Sequence, residues 1–309
     1  MKKLMFSLAA LLAAASACTE KALPQSEETP LQEPLVFYAT YEDNDSSTRT
    51  FRDDDGTVYW SPNERLIIYL SGYSGNARFL STNTEPATST YFREDGWHLS
   101  SYEFADWVAT TQSYGGTTLQ DTYLASDGYY LAWGYLPSWQ KAVPHTWEVQ
   151  EGGWNYFVSI ARSKTKNLVF RHFTGGIKFT LNTPGVKRVL LRTEDKVDLV
   201  GDYYARVYED RLERENRSFA QHNEVVLMAP EGETLTPGVP YYLVTLPATM
   251  PSGFSLTFVT DDKMARRTYS KSVTIQSGHF ATLLEADKGL TWGGIGATLS
   301  DVTETPIEE

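Results

Sequence analysis

GFSLTFVTDD, Gly253 to Asp262, is the stretch whose reading decides the fold. Phe254, Leu256 and Phe258 alternate with Ser255, Thr257 and Val259, which places the large apolar side chains on one face of an extended chain. Asp261, Asp262 and Lys263 follow as a turn, and the chain is expected to return through Arg267 to Ile275 as the second arm of a hairpin.

Similar runs recur outward from this hairpin. Leu35 to Tyr41 (LVFYATY), Val58 to Trp60, Leu66 to Leu70 and Tyr129 to Leu136 are short, rich in aromatic and β-branched residues, and bounded by Gly, Pro, Asp and Asn. Leu168 to Leu181, Val186 to Leu191, Glu224 to Met228 and Tyr241 to Leu246 continue the series. With no long helical period among them, these strands imply an all-β protein built of sandwiches. A chain of 309 residues usually makes about two domains. The polar, basic Ser163-Lys164-Thr165-Lys166 is the expected seam, giving an N-terminal β-sandwich over 34–164 and a C-terminal one over 165–285. Tyr129-Tyr130-Leu131 leads to Leu136-Pro137, and Tyr241-Tyr242-Leu243 leads to Leu246-Pro247, a slight internal repeat across that seam.

The N-terminus carries a different signal. MKK, an apolar stretch from Leu4 to Ala15, then Ser16 and Ala17, have the layout of a secretory signal peptide over 1–17. The stretch is too short for a transmembrane helix, which needs roughly 20 apolar residues. Cys18 follows directly and is the chain's sole cysteine, so it cannot close an internal disulfide. Ala15-Ser16-Ala17-Cys18 resembles the lipobox of bacterial lipoproteins, which implies cleavage before Cys18, a diacylglyceryl group on its sulfur and an acylated amino terminus. Several acyl chains on one residue anchor stably where one does not. Residues 18–33, polar and proline-containing, read as a flexible tether.

The formal charge of −12 argues against nucleic acid and against an anionic membrane surface as partners, leaving the lipid as the expected membrane contact. His98, His145, His172, His222 and His279 are scattered, so no metal site is expected from them. Asp43 to Asp54 has oxygens at Asp43, Asp45 and Ser47. It carries Thr48 where a calcium loop needs Gly and Asp54 where a bidentate Glu is usual, so these read as solvated turn acids. No nucleophile elbow or phosphate loop is present, and neither a cofactor nor an enzymatic activity is expected. Aromatics make up 13% of the chain, and Trp97, Trp107, Trp133, Trp139, Trp147 and Trp154 cluster in its first half. Filling of β-sandwich cores is the plainer reading, and stacking on a glycan at the cell surface is the alternative.

The order of the segments carries a resemblance. The Thr48-Arg49-Thr50, Leu136-Pro137 to Gln140, Phe170 to Gly176-Ile177-Lys178 and Thr245-Leu246-Pro247 stretches together resemble the fimbrillin-like family of lipoproteins, subunits of type V pili, from about Leu35 to Leu284. That resemblance implies two tandem transthyretin-like β-sandwiches and a lipid-anchored, surface-exposed location at the outer membrane or in a fimbrium. It also implies other pilus subunits as partners, joined by β-strand addition. Leu35 to Tyr41 is then the removable strand, with Arg49 and Arg52 as candidate cleavage positions for an Arg-specific protease. Cleavage there separates Cys18 from the folded body, so a molecule is either an anchor or a released subunit. In the tail, 286–309, Leu290, Trp292, Leu299 and Val302 are candidate donor-strand residues, or equally an arm packing on its own domain.

Overall fold

The expected hairpin is present. In this computed structural model, which describes residues 35–42, 59–70, 76–95, 106–111, 117–119, 125–145, 148–149, 154–215 and 221–295, Phe254–Val259 pairs antiparallel with Lys263–Tyr269. Phe254, Leu256 and Phe258 are buried, as their alternation requires. The Thr260 amide donates to the Lys263 carbonyl (2.9 Å) and the Lys263 amide to Thr260 Oγ1 (3.0 Å), closing the turn over Asp261 and Asp262. The return arm stops at Tyr269, however. Val273–Ile275 is a separate strand paired with Ala248–Met250, so the run to Ile275 is two elements in two sheets.

All regular structure among the described residues is β. Seven strands form a closed ring: β1 (Val36–Tyr41), β2 (Arg65–Leu70), β3 (Asn76–Ser81), β4 (Ser89–Glu94) and β5 (Trp107–Thr111), with Ser159–Ser163 and Asn167–His172. Where the sequence suggests a two-sheet sandwich, hydrogen bonding here runs all the way round, because β1 pairs antiparallel with β4 on one side and parallel with Asn167–His172 on the other. The expected seam at Ser163–Lys166 is the tight turn of a hairpin inside this ring, with the Thr165 amide donating to Ser163 Oγ (3.1 Å). Strand pairing crosses the seam in the other direction too. Tyr130–Leu136 pairs with Val200–Val207, and Trp139–Lys141 joins the edge of the six-stranded sheet that holds the Phe254 hairpin.

Among the described residues two apolar cores result. The smaller fills the ring with Phe37, Trp60, Phe79, Phe92, Trp107 and Phe170; the larger gathers Tyr130, Phe157, Phe173, Ile177, Phe179, Leu243, Leu256 and Phe258. β5 is buried on both faces: Trp107 and Ala109 point into the smaller core and Val108 into the larger. Ile160 and Ala161 divide in the same way, so one wall of the ring serves both cores. The two Leu-Pro motifs have matching surroundings. Each ends a strand, Tyr130–Leu136 or Tyr241–Thr245 with its following Leu246, and each leads into a three-residue strand, Trp139–Lys141 or Ala248–Met250. Gly176 lies between Tyr241–Thr245 and Phe280–Leu283, where a Cβ would collide with the Leu243 carbonyl oxygen. Only glycine allows that approach.

Burial also shapes the response to alkali. It pushes the Tyr69 hydroxyl from 10.0 up to about 12, opposed by Thr110, and the Tyr269 hydroxyl likewise to about 12, opposed by Arg267. Between about pH 10 and 12 the unfolded chain therefore loses protons that the folded chain keeps. Stability from these groups is full below about pH 10 and falls as pH rises through 12. For Tyr69, which is 5% exposed, the loss is about 2–3 kcal/mol. Urea unfolding across this window should show a shallower fall for Tyr69→Phe than for the unmodified chain. Equal falls would exclude Tyr69 as a source.

Candidate strand-exchange groove

β1 is short, yet it completes the ring. Leu35, Phe37, Ala39 and Tyr41 point inward and are buried, while Val36, Tyr38 and Thr40 are half-buried on the outer face. The strand therefore lays alternate side chains into a trough bounded by β4 and Asn167–His172. Phe37 meets Phe79 and Trp107 edge-on, with ring centroids 5.1 and 5.0 Å away. Tyr41 stacks on Trp60 at 4.3 Å and on His172 at 4.9 Å. Backbone bonds extend the pairing: the Tyr38 amide donates to the Lys166 carbonyl and the Glu42 amide to the Phe170 carbonyl, both at 2.9 Å. Arg171 Nη2 reaches Glu42 Oε1 at 3.0 Å, holding the strand's end.

His172 is a member of this groove that sequence reasoning did not single out. Its Nδ1 lies 2.7 Å from Ser159 Oγ, and Phe157 packs on its ring at 4.3 Å. Serine and histidine are both buried, so the contact packs the floor under Tyr41 and does not present a nucleophile to solvent. The period-two pattern of the strand, NLVFRH, puts Leu168, Phe170 and His172 inward, and that pattern was the available signal. Among the described residues, no group of three or more His, Cys, Asp or Glu is placed to hold a metal ion, and no helix is long and apolar enough to cross a membrane.

The other expected site residues divide. Cys18, Arg49 and Arg52 lie outside the described residues, as do the Asp43 to Asp54 stretch, Leu299 and Val302. Leu290 and Trp292 are partly buried against the larger core. Just beyond them, Gly293–Gly294 pairs antiparallel with Lys263 and Met264, and the Ile295 amide donates to the Asp262 carbonyl (3.1 Å). Up to Ile295 the tail is thus seated on its own sheet. Of the tryptophans, Trp107 is buried, Trp133 half-buried and Trp139 exposed. Trp97, Trp147 and the side chain of Trp154 lie outside the described residues.

No protein-family model matches the chain, and no curated protein matches it. It is similar to the solved structure of a proposed cell adhesion protein from Bacteroides ovatus, at 11% identity over 85% of this chain and 96% of that one, with a TM-score of 0.47. Proposed cell adhesion proteins from Bacteroides uniformis and Bacteroides thetaiotaomicron are also similar. The first is 15% identical over 86% of this chain and 97% of its own, with a TM-score of 0.46; the second is 10% identical over 82% and 94%, with a TM-score of 0.37.

Proposed function

We propose that the chain is a non-enzymatic cell-surface protein of the adhesion and fimbrial type, a pilus subunit, anchor or accessory, in which β1 is a replaceable strand. One observation carries the reading. β1 pairs with strands distant in sequence on both sides and fills an apolar trough with four alternate side chains. A strand held this way is a suitable site for strand addition, because backbone bonds supply affinity and the pockets for alternate side chains supply specificity. The connector beyond β1 carries Arg49 and Arg52, and Cys18 lies ahead of β1, so a cut in the connector leaves β1 and the lipid anchor held to the body by non-covalent contacts alone, and the trough becomes vacant when β1 departs. The two apolar cores correspond, in this reading, to two tandem domains of transthyretin type that share one wall.

The test is a cut in the connector, at Arg49 or Arg52 or at an engineered protease site in the same segment. The severed β1 should remain bound at first, since its backbone bonds and buried side chains persist. Excess synthetic peptide spanning Leu35 to Glu42, carrying a fluorophore, should then exchange into the ring, and cut protein incubated without peptide should form oligomers. A cut chain that neither exchanges peptide nor associates would overturn the proposal.

A further inference from the structure

We propose that the cleft beside Trp139 is a binding site for a neutral glycan. Trp139 sits on the three-residue edge strand of the six-stranded sheet and is 46% exposed, whereas Trp60 and Trp107 are buried. The strand is firmly held. Its next residue, Gln140, is fully buried, and its side-chain amide donates to the Val244 carbonyl (2.7 Å) and accepts from the Val244 amide (2.9 Å). A partly exposed aromatic surface is therefore presented to solvent from a fixed support, which reduces the ordering cost of a ligand that packs on it.

Register brings the remaining groups together. Trp139 is the pairing partner of Val226, and Glu224, two residues earlier on that strand, is the partner of Arg192. Val225 and Leu227 point into the core, so Glu224 and Val226 share the outward face with Trp139 and Arg192. With His222 and Asn223 they line a cleft of about 350 Å³. That volume lies at the small end of ligand sites, which typically combine an apolar surface with a few convergent polar groups.

The chemistry matches a sugar. A pyranose has a C–H face that packs on an aromatic ring and hydroxyls at its rim that both donate and accept. Trp139 and Val226 offer the apolar surface, Arg192 and Asn223 donate, and Glu224 and Asn223 accept. Arg192 and Glu224 bring opposite charges, so the cleft carries no excess that selects an ion, and the formal charge of −12 repels polyanionic glycans. The site lies on a different sheet from β1, so it operates whether or not β1 is exchanged, and its test is separate from that of strand addition.

Titration of the full chain with maltohexaose, cellohexaose, xylohexaose and a mannose oligosaccharide, read by calorimetry and tryptophan fluorescence, tests the proposal. A heparin fragment and an extended neutral peptide serve as competitors. At least one neutral oligosaccharide should bind, and Trp139→Ala should weaken it by about tenfold or more, about 1.4 kcal/mol. Trp139→Phe should keep most of the affinity, and Glu224→Gln should weaken binding through the lost charged acceptor. Trp139 is at the surface, so an unchanged melting temperature will show that the variants fold. Absence of binding by every neutral oligosaccharide at millimolar concentration would overturn the proposal. So would equal affinity of Trp139→Ala, or tighter binding of heparin or the peptide.

Discussion

Arg162→Ala should destabilise the chain by about 3–5 kcal/mol, because it leaves a carboxylate buried without its cation. Arg162 Nη2 lies 3.1 Å from Asp106 Oδ2, and the two side chains are only 4% and 8% exposed. Tyr130 donates its hydroxyl to the same oxygen at 3.3 Å, and its ring lies under the guanidinium at 4.9 Å. Arg162 also donates to the Gly128 carbonyl at 2.7 Å and contacts the Val207 carbonyl at 3.5 Å. The residue springs from the ring strand Ser159–Ser163, while Tyr130 and Val207 belong to the neighbouring sheet. The substitution therefore removes a polar bridge between two sheets as well as an ion pair. Asp106→Asn should cost less, since an amide still accepts one bond. Replacing both residues, by Arg162→Met with Asp106→Leu, should recover most of the loss, because neither charge is left unpaired. Lys164→Ala provides the control. Its partner Glu209 is 2.8 Å away, but both side chains are more than half exposed, and no measurable change is expected. Urea unfolding of the four proteins checks the series; a small loss in Arg162→Ala, equal to that in Lys164→Ala, would show that the bridge contributes nothing.

The same pair explains where the sequence was hard to read. The hairpin at Phe254 alternates large apolar with smaller residues, so its inward face is visible in the residue order, whereas Leu35 to Tyr41 shows a strand by composition alone. β5 reads WVATT, and Ser159–Ser163 reads SIARS; both are buried on two faces, and the second includes a charged residue. Neither shows a period, and the arginine looks like a surface residue until its partner from another strand is seen. β3 and β4 carry few large apolar residues each, so their inward Ala77, Phe79 and Phe92 form no pattern in the residue order. The polar Ser163–Lys166 suggests a seam because a tight exposed turn and an interdomain linker have the same composition. Only long-range pairing separates the two, and no local feature of the residues records it.

The candidate sites differ in the same sense. The existence of the β1 strand is legible in its run of aromatic and β-branched residues, while its inward face is set by the pairing. The cleft at Trp139 was not, although the tryptophan itself stood out. Arg192 and Glu224 reach it only through the register of strands far apart in the chain. A cluster of six tryptophans does not indicate that Trp139 is presented to solvent; the buried Gln140 beside it and the edge position of its strand decide that.

Phe37→Ala should cost about 3–5 kcal/mol, and Tyr38→Ala, one residue along the same strand, about 0.5–1 kcal/mol. Phe37 is fully buried between Phe79 and Trp107, so truncation opens a cavity in the smaller core whose aromatic walls cannot close without shifting neighbouring strands. Tyr38 points outward and meets Tyr91 at 5.2 Å, and Tyr91 is 55% exposed, so that pair loses mostly surface contact. Both variants keep the backbone pairing of β1 with β4 and with Asn167–His172, which isolates the pocket from the ladder. If β1 is a replaceable strand, the difference carries over to exchange. After a cut in the connector, a β1 bearing Phe37→Ala should leave the ring much faster than one bearing Tyr38→Ala, because the side chain in the trough sets the barrier to release. Stopped-flow release of a labelled β1, measured beside urea unfolding of the uncut variants, separates the two contributions. Equal release rates for the two substitutions would mean that the backbone ladder alone holds the strand, and that the trough does not select what fills it.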